Sequence, residues 1–430
     1  MKLELIGHDE KYAVEQSLLT LFPDERPVYG PVTDEDASAA RITLTEDADS
    51  VCVTTELRCG GKAAADCYSY PLSGTDYEKE GQRRHALGLS FFRAAKEVLG
   101  VTPAWGSLTG VRPSKVAVSL LREGKAPAAV LTELEEVYSV TPRRARLALE
   151  AAETGLRVQN DLKPNDISLY VGIPFCRTRC SYCSFAAVDL KHGGKLTDGY
   201  VEAVTREMQL VRGDLSQYKV RGLYIGGGTP TALTCAQLDR VIGTALECFP
   251  GAREFTVEAG RPDTLDDEKL RMLRAYGVDR VSLNPQTMND ETLRRVGRDH
   301  TAEDIRRMYD EMHGMGFSVI NMDLILGLPG ETAEDVARTL DAIAELTPEN
   351  LTVHTLAIKR AAALRQTGYH ADEEEAMRMV ELAAHRAREM GYQPYYLYRQ
   401  KYMAGNLENV GYCKPGTASI YNVDIMEEIM

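Results

Sequence analysis

Three cysteines lie close together near the middle of the chain, in the run Cys176-Arg-Thr-Arg-Cys180-Ser-Tyr-Cys183, directly after a predicted strand. Three thiolates on one short loop are able to bind three irons of a [4Fe–4S] cluster and leave the fourth iron open for a substrate or cofactor. A zinc site is the alternative. A structural zinc site generally has four protein ligands, however, and Phe185 stands where a further cysteine would be expected. The spacing therefore favours an iron–sulfur cluster.

Glycines and carboxylates come at or near the ends of later predicted strands. The turn Gly226–Thr231, GGGTPT, follows the second strand, and its glycines allow the backbone to approach a ligand closely. A simple turn between strand and helix is the other interpretation. Glu258 ends the third strand, where a buried carboxylate needs a partner: either a ligand or a salt bridge with an arginine such as Arg261. Asp323 lies within an otherwise apolar strand, where an unpaired carboxylate is costly.

Strands alternate with helices from Ile167 onward, and this pattern predicts a parallel sheet covered by helices. The predicted strands are Ser168–Ile173, Gly222–Gly226, Glu254–Glu258, Arg280–Leu283, Ser318–Leu324 and Leu351–Leu356. The predicted helices between them are Asp198–Arg212, Cys235–Glu247, Asp266–Tyr276, Ala302–Met315 and Ala333–Glu345. Six such units are expected to curve into a partial (β/α)6 barrel of the TIM type, which places its chemistry at the C-terminal ends of the strands.

The first 161 residues have a different pattern, in which short alternating strands precede helices. The predicted strands are Ala40–Leu44, Ser50–Leu57 and Ala65–Pro71, and the predicted helices are Arg83–Leu99, Ser114–Glu123, Pro127–Tyr138 and Pro142–Asp161. A linker is predicted at Leu162–Asp166. The sequence thus predicts an α/β protein with an α+β accessory domain over 1–161, the barrel over 162–370 and a short C-terminal extension over 371–430. Within that extension a helix is expected at Asp372–Glu389 and a strand at Gln393–Tyr398.

Composition excludes several functional classes. With 50 Lys and Arg against 64 Asp and Glu among 430 residues, the net charge is −14, which argues against a general nucleic-acid or anionic-membrane surface. No apolar run approaches the ~20 residues that span a bilayer. The N-terminus lacks the apolar segment of a secretory signal, and an odd number of cysteines, nine, does not indicate a disulfide framework. We therefore expect a cytoplasmic protein.

Six cysteines lie outside the cluster run: Cys52, Cys59, Cys67, Cys235, Cys248 and Cys413. Spacings of seven and eight residues among the first three match no compact ligand set, so we interpret them as strand and turn thiols rather than as a second metal site. The next two lie at opposite ends of a predicted helix, at a spacing that does not share one face. The last is predicted to be a loop thiol.

The segment YVGIPFCRTRCSYCSF, residues 170–185, resembles the oxygen-independent coproporphyrinogen III oxidase family of the radical S-adenosylmethionine (SAM) superfamily. GGGTPT one unit later strengthens this resemblance. The overall layout, with WGSLTGVRPSK early and YLYRQKYMAGNLENVGYCKPG late, is most similar to the HemZ-like branch. The resemblance implies that Cys176, Cys180 and Cys183 hold a [4Fe–4S] cluster whose open iron chelates SAM. Reductive cleavage of SAM then yields a 5′-deoxyadenosyl radical, so the cofactor carries the hard chemistry and the protein orients it.

The same resemblance implies a set of SAM contacts. They are Tyr170 near the cluster, Tyr182 beside the adenine, Gly227, Gly228 and Thr229 at the amino group, Glu258 on SAM, Gln286 and Asp323 at the ribose, Arg298 near the carboxylate and Ala357 against the adenine. Without the resemblance, Tyr170 and Tyr182 fit simple packing equally well, and Arg298 fits a solvated helix flank.

The function implied is oxidative decarboxylation of two propionates of coproporphyrinogen III to vinyls, giving protoporphyrinogen IX in haem biosynthesis. A reduced flavodoxin or a ferredoxin-type protein is the implied electron donor. The chain departs from the family at Gly172, often His, and at Phe185, often a fourth Cys. It also ends before a Gly-rich strand that relatives usually have, so we expect a short or truncated form. Relatives without the fourth cysteine include haem chaperones and haem methyltransferases, which therefore stay as alternatives. A role in RNA modification is disfavoured, because the sequence has no basic stripe that would bind RNA.

A substrate with four propionates needs a local basic pocket. The candidate cations are Arg112, Lys115, Arg177, Arg179, Lys359, Arg360, Arg399 and Lys401. Arg399 is flanked by Tyr396, Tyr398 and Tyr402, which are able to stack against a tetrapyrrole. A tyrosine-rich core strand explains the same residues without a ligand.

Overall fold

A computed structural model describes residues 1–22, 24–110, 112–400 and 403–428. These residues form two compact units that divide between Leu149 and Glu150. The division falls inside the helix Pro142–Gln159. Residues after 370 belong to the same compact unit as the barrel, and the predicted domain limits at residues 161 and 370 stay predictions.

The N-terminal unit contains a five-stranded sheet with helices on one face. Its strands are β1 (Lys2–Ile6), β2 (Val28–Tyr29), β3 (Ala39–Glu46), β4 (Ser50–Cys59) and β5 (Lys62–Pro71). Its helices are α1 (Lys11–Leu21), α2 (Asp76–Leu99), α3 (Ser114–Arg122), α4 (Pro127–Glu136) and the first part of α5 (Pro142–Gln159). The strand order is β2-β1-β3-β4-β5, and the apolar core lies between the sheet and helices α1 and α2.

Helix α2 begins seven residues before the predicted Arg83, at Asp76. Thr75 and Glu78 form a reciprocal capping box there, which satisfies amide groups that the first helical turn leaves without partners. β1 and α1 were not predicted. β1 is only five residues long, and α1 starts without a side-chain cap, so the local signal for each is weak.

The C-terminal unit contains an eight-stranded sheet and its covering helices. The strands of this unit are β6 (Asp166–Ile173), β7 (Phe175–Cys176), β8 (Val188–Asp189), β9 (Lys219–Gly227), β10 (Glu254–Gly260), β11 (Arg280–Leu283), β12 (Val319–Leu326), β13 (Asn350–Thr355), β14 (Gln393–Tyr398) and β15 (Asn409–Cys413). All of them except β7 and β8 belong to the eight-stranded sheet. Its helices after α5 are α6 (Leu190–Gly193), α7 (Thr197–Val211), α8 (Cys235–Cys248), α9 (Asp267–Ala275), α10 (Asp290–Arg295), α11 (Ala302–Gly314), α12 (Ala333–Leu346), α13 (Glu373–Glu389) and α14 (Ile420–Glu427).

The sheet order is β14-β15-β13-β12-β11-β10-β9-β6. The six strands from β6 to β13 in this sheet are parallel, whereas β15 pairs antiparallel with β13 and with β14. The predicted partial (β/α)6 barrel is therefore confirmed, with two antiparallel strands added at one edge. Among the described helices, none combines the length and the apolar composition needed to cross a bilayer.

Helix α14 packs against the N-terminal ends of the barrel strands, opposite the ends where chemistry is expected. The Glu254 carboxylate, at the start of β10, accepts hydrogen bonds from the Ser419 hydroxyl (2.9 Å) and from the amides of Ile420 (2.8 Å) and Tyr421 (3.1 Å). Arg280 Nε lies 3.5 Å from the same carboxylate. The Tyr421 ring stacks on the Tyr224 ring of β9, with centroids 4.5 Å apart. Residues 419–421 thus form a floor under the barrel, which we call the floor segment.

We expect Glu254→Ala to lower the free energy of unfolding of the C-terminal unit by about 3–5 kcal/mol, because the change leaves Arg280 buried without its carboxylate. Urea unfolding followed by circular dichroism measures this. Glu268→Ala, at an exposed position in the first turn of α9, is the control and should cost less than about 1 kcal/mol. Equal effects of the two changes would contradict a buried role for Glu254.

Candidate functional site

A cavity of about 500 Å³ opens at the C-terminal ends of the barrel strands. All three predicted cluster cysteines and all ten predicted SAM-contacting residues line it: Cys176, Cys180, Cys183, Tyr170, Tyr182, Gly227, Gly228, Thr229, Glu258, Gln286, Arg298, Asp323 and Ala357. The structure therefore brings together residues contributed by six strands and the loops that follow them. Their individual roles in binding stay predictions.

The cysteine loop is tied to neighbouring segments of the barrel. The Ser181 amide donates to the Val296 carbonyl (3.0 Å), and the Leu364 amide donates to the Ser181 carbonyl (2.8 Å). Arg261 Nη1 donates to the Thr178 hydroxyl (2.8 Å). The loop is thus held in place by protein contacts alone.

The three thiols fit a cluster better than a single metal ion. Cys180 is buried, while Cys176 and Cys183 are partly exposed, and burial raises the pKa of both partly exposed thiols. Within the described residues, no three His, Cys, Asp or Glu side chains converge closely enough to hold one metal ion. In a [4Fe–4S] cluster each thiolate binds its own iron, so the thiols need not converge on one atom.

Two glycines leave room for the groups beside them. A Cβ on Gly226 would lie 2.9 Å from Glu258 Cδ, and a Cβ on Gly228 would lie 2.6 Å from the Phe175 carbonyl oxygen and 3.0 Å from Cys176 Sγ. Because such approaches are shorter than van der Waals contact, any side chain at either position would displace the carboxylate or the first cysteine. The predicted glycine-rich edge is therefore required by packing inside the site.

Glu258 is a buried carboxylate at the end of β10. Tyr224 OH donates to its Oε1 (2.7 Å), and the Gly227 amide donates to its Oε2 (3.0 Å). Burial raises the pKa of Glu258 to about 7 despite these hydrogen bonds. The alternative of a salt bridge with Arg261 is wrong, because Arg261 pairs with Asp263 at 2.8 Å. No described cation lies within ion-pair distance of Glu258, so the carboxylate suits a cationic ligand such as an ammonium group.

Gln286 has a left-handed backbone conformation, with φ +68°. Strand β12 holds it there: the Gln286 amide donates to the Asp323 carbonyl, and the Ile325 amide donates to the Gln286 carbonyl, both at 2.9 Å. The side-chain oxygens of Gln286 and of nearby Asn284 are buried without a hydrogen-bond partner among the described residues. Strained backbone is common at ligand sites, and unpaired buried acceptors suit hydroxyl donors such as those of a ribose.

Asp323 lies beside two polar residues that the sequence analysis missed. Asn321 Nδ2 donates to Asp323 Oδ1 (2.8 Å), and His354 Nε2 lies 3.9 Å from Asp323 Oδ2. Burial lowers the pKa of His354, so the imidazole is neutral near pH 7. His354 also lines the cavity. His354 lies near the end of a predicted strand, and the same kind of position identified Glu258. This position was the signal available in the sequence.

Arg298 is buried, so its interpretation as a solvated helix flank is wrong: only 5% of the residue is exposed. Its Nη2 donates to the Asn284 carbonyl (2.6 Å), its Nη1 donates to the Tyr182 hydroxyl (3.3 Å), and the same atom lies 3.9 Å from Cys180 Sγ. The guanidinium thus joins the cysteine loop to the segment after β11. No described carboxylate forms an ion pair with it, so it is available to a carboxylate ligand.

Two further cations line the cavity: Arg179, which is exposed, and Lys359, which is half-buried. Arg179 Nη2 donates to the Ala361 carbonyl (3.2 Å), which keeps the cysteine loop next to the segment after β13. The Lys359 ammonium has no hydrogen-bond or ion-pair partner among the described residues, although the Lys359 carbonyl accepts from the Ala362 amide (3.1 Å). We call these two residues the cationic rim.

The other predicted substrate cations that the structure describes do not line the cavity. Arg399 is 7% exposed, and its Nε donates to the Asn406 carbonyl (3.2 Å). Burial lowers its pKa to about 10. Tyr396 is a core residue, whereas Tyr398 reaches the cavity wall. Of the remaining candidates, Arg177 donates to the Asp263 carbonyl and Arg360 is exposed. Arg112 and Lys115 belong to the N-terminal unit. Lys401 and Tyr402 lie outside the described residues.

Comparison with known proteins identifies the family. Residues 170–343 match the radical SAM superfamily. The oxygen-independent coproporphyrinogen-III oxidase-like protein HemZ of Bacillus subtilis is 36% identical over 440 residues, which cover 100% of this chain and 88% of that protein. The heme chaperone HemW of Bacillus subtilis is 34% identical over 195 residues, 45% of this chain and 51% of that one.

The oxygen-independent coproporphyrinogen III oxidase of Escherichia coli is 35% identical over 193 residues, 44% of this chain and 42% of the enzyme. The solved structure of coproporphyrinogen III oxidase (HemN) from Escherichia coli, described as a radical SAM enzyme, superposes with a TM-score of 0.51 at 28% identity. The match covers 61% of this chain and 58% of that structure.

The cavity fits the cofactors of this superfamily, a [4Fe–4S] cluster and SAM. Three separate thiols, unpaired buried acceptors, a buried carboxylate and a buried guanidinium are the groups that such a cofactor pair requires. The full-length relative and the fold agree with that chemistry. The chain belongs to the radical SAM superfamily, in the HemZ-like branch of the oxygen-independent coproporphyrinogen III oxidase family.

Proposed function

We propose that this protein oxidatively decarboxylates two propionate side chains of coproporphyrinogen III to vinyl groups, forming protoporphyrinogen IX. The observation that carries the proposal is the cationic rim, since Arg179 and Lys359 line the same cavity as the expected SAM contacts. A substrate with four carboxylates suits two cations that line one cavity in an otherwise acidic protein.

The bound cofactors supply one-electron chemistry: reductive cleavage of a carbon–sulfur bond of SAM, followed by removal of a hydrogen atom from the substrate. The residues of the chain bind and orient. Cys176, Cys180 and Cys183 hold three irons, Glu258 receives the ammonium group of SAM and Arg298 receives its carboxylate.

Other residues of the cavity bind the ribose and the adenine of SAM. Asp323 and Gln286 accept hydrogen bonds from the ribose hydroxyls, and Ala357 contacts the adenine. Lys359 and Arg179 would bind propionate carboxylates of the substrate and so orient it in the cavity. No side chain needs to act as a general acid or base. Electrons come from a reduced flavodoxin or a ferredoxin-type protein.

The deciding experiment is anaerobic. The protein is reconstituted with iron and sulfide and given a reductant, SAM and coproporphyrinogen III, while 5′-deoxyadenosine and tetrapyrrole masses are followed together. Loss of two CO₂ per tetrapyrrole, matched by 5′-deoxyadenosine, supports the proposal. Formation of 5′-deoxyadenosine without any change in the tetrapyrrole would remove this substrate.

We expect Lys359→Gln to raise KM for coproporphyrinogen III roughly 10-fold, because one charge-assisted hydrogen bond of about 1.5 kcal/mol is lost. Its effect on SAM binding should be small, since Lys359 is not among the expected SAM contacts. Arg360→Gln is the matched control, because Arg360 is the next residue, is exposed and does not line the cavity. Equal KM changes in the two variants would remove Lys359 from the substrate site.

A haem chaperone is the second candidate, favoured by the similarity to HemW over 45% of this chain. Exposed Phe185, 68% accessible at the cavity wall, offers an apolar contact for a porphyrin face. Titration with haem under anaerobic conditions tests this alternative. Tight stoichiometric binding of haem, together with no turnover of coproporphyrinogen III, would favour the chaperone.

A further inference from the structure

Two cysteines of the N-terminal unit face each other across neighbouring strands. Cys52 Sγ in β4 and Cys67 Sγ in β5 lie 3.6 Å apart, although the spacing of these residues in the sequence predicts only ordinary thiols. The strands pair antiparallel, with Cys52 opposite Ser69 and Thr54 opposite Cys67. The two cysteines are therefore diagonal neighbours, and the hydrogen-bonded ladder on both sides of them holds their backbones in register.

Both thiols lie on the outer face of the sheet. Alternate residues of β4, such as Val51 and Val53, are fully buried in the core, so Cys52 points to the opposite face. Cys67 is exposed and Cys52 is partly exposed. Because β5 is an edge strand, a small reagent reaches Cys67 without any opening of the fold.

The third cysteine of this unit provides a contrast. Cys59 ends β4, and its described contact is with the Ser38 hydroxyl at 3.6 Å, not with a thiol. Of the thiols outside the cavity, Cys235 contacts the Met272 sulfur. Among the described residues outside the cavity, Cys52 and Cys67 are thus the pair of thiols that the fold brings within contact distance.

We propose that Cys52 and Cys67 form an oxidisable dithiol, which a low-molecular-mass disulfide converts into a cross-strand disulfide. The Cys67 thiolate attacks one sulfur of the reagent, forming a mixed disulfide and releasing one thiol. The Cys52 thiolate then attacks the Cys67 sulfur and releases the second thiol. The two cysteines lose two electrons and two protons, and the reagent is reduced to two thiols.

Forming the bond requires a local adjustment of the hairpin. The sulfurs must approach from 3.6 Å to about 2.05 Å, and because the two residues are diagonal rather than directly opposite neighbours, the strands must shift as the side chains rotate. The bond would join the edge strand covalently to its neighbour, so the oxidised hairpin is expected to resist thermal unfolding and proteolysis more than the reduced one.

The test uses the full-length protein, incubated anaerobically with graded ratios of oxidised to reduced glutathione. Remaining thiols are then alkylated, and the protein is digested with trypsin. Cys52, Cys59 and Cys67 fall in separate peptides, 42–58, 59–62 and 63–79, so mass spectrometry distinguishes every pairing. We expect peptides 42–58 and 63–79 to be linked at ratios that leave Cys59 alkylated.

Two variants keep the result interpretable. Cys52→Ser should replace the linked peptides by a stable glutathione adduct on Cys67, whereas Cys59→Ser should leave the linkage unchanged. The proposal is overturned if wild-type Cys67 carries only the glutathione adduct, or if the linked peptides appear only in denaturant. Neither readout depends on the cluster, on SAM or on the tetrapyrrole reaction.

Discussion

Cys180→Ser is expected to yield a protein that folds but binds at least about 10-fold less iron than the unmodified protein after reconstitution. This variant should show no visible cluster absorbance and no SAM cleavage. Cys180 is the most buried of the three cluster thiols, and its sulfur lies 3.9 Å from Arg298. A serine hydroxyl at that place does not replace a thiolate as an iron ligand. Cys176→Ser and Cys183→Ser should behave in the same way, because each thiolate is needed for its own iron.

The matched control is Cys235→Ser. Cys235 is the first residue of α8 and lies outside the cavity lining, so its replacement should leave iron content, colour and SAM cleavage at the level of the unmodified protein. Iron and sulfide analysis, together with ultraviolet and visible spectra, provides the measurement. Wild-type iron content in any of the three cluster variants would show that the assignment of ligands is wrong.

Glu258→Gln is expected to weaken SAM binding about 100-fold, equivalent to about 3 kcal/mol, because a buried charge pair with the SAM ammonium is lost. The dependence on pH is the sharper test. Burial raises the pKa of Glu258 to about 7, so the carboxylate form that binds an ammonium group predominates only above that pH. In the unmodified protein, SAM affinity should rise as the pH is raised from 5.5 to 7, approaching 10-fold per unit at the acidic end. In Glu258→Gln the affinity should stay constant over this range.

Glu331 offers a control of the same kind. Burial raises the pKa of Glu331 to about 7 as well, but Glu331 hydrogen-bonds to Thr287 and does not line the cavity. Glu331→Gln should therefore keep the dependence of SAM affinity on pH. Calorimetric titration of SAM into the cluster-loaded protein without a reductant measures both variants, since no turnover occurs. A flat profile in the unmodified protein would argue against Glu258 as the group that receives the ammonium.

The repeating part of the fold was predictable because its signals are local. Each parallel strand of the barrel is a short, largely apolar run, and four of the covering helices, α8, α9, α11 and α12, begin with a side-chain cap, so six units could be counted from the sequence. β15 and α14 were not predicted. β15 is five residues long and gains its place by pairing with β13 and β14, whereas α14 is positioned by the distant Glu254. Such placement depends on contacts that no local pattern records.

The candidate site shows the same division. Spacing and position in the predicted strands identified the three cysteines, the glycine-rich turn, Glu258 and Asp323. The resemblance to the family supplied the others: Tyr170, Tyr182, Gln286, Arg298 and Ala357. The residues that support them were missed: Tyr224 beneath Glu258, and Asn321 with His354 beside Asp323. Each of these side chains contacts a residue on its own strand or on the adjacent strand. The sequence does not show which side chains become neighbours once the sheet has formed.

The floor segment has a consequence for how the protein is made. Glu254 and Arg280 are synthesised more than a hundred residues before Ser419, Ile420 and Tyr421, whose groups complete the hydrogen bonding of that carboxylate. Until residues 419–421 leave the ribosome, a barrel assembled on the nascent chain has an open base and a carboxylate short of three donors. Every residue of the candidate site has been translated by then, but the base closes only after the floor segment has emerged. A chain released before residue 419 is therefore expected to carry a complete set of cavity residues and still be degraded as misfolded.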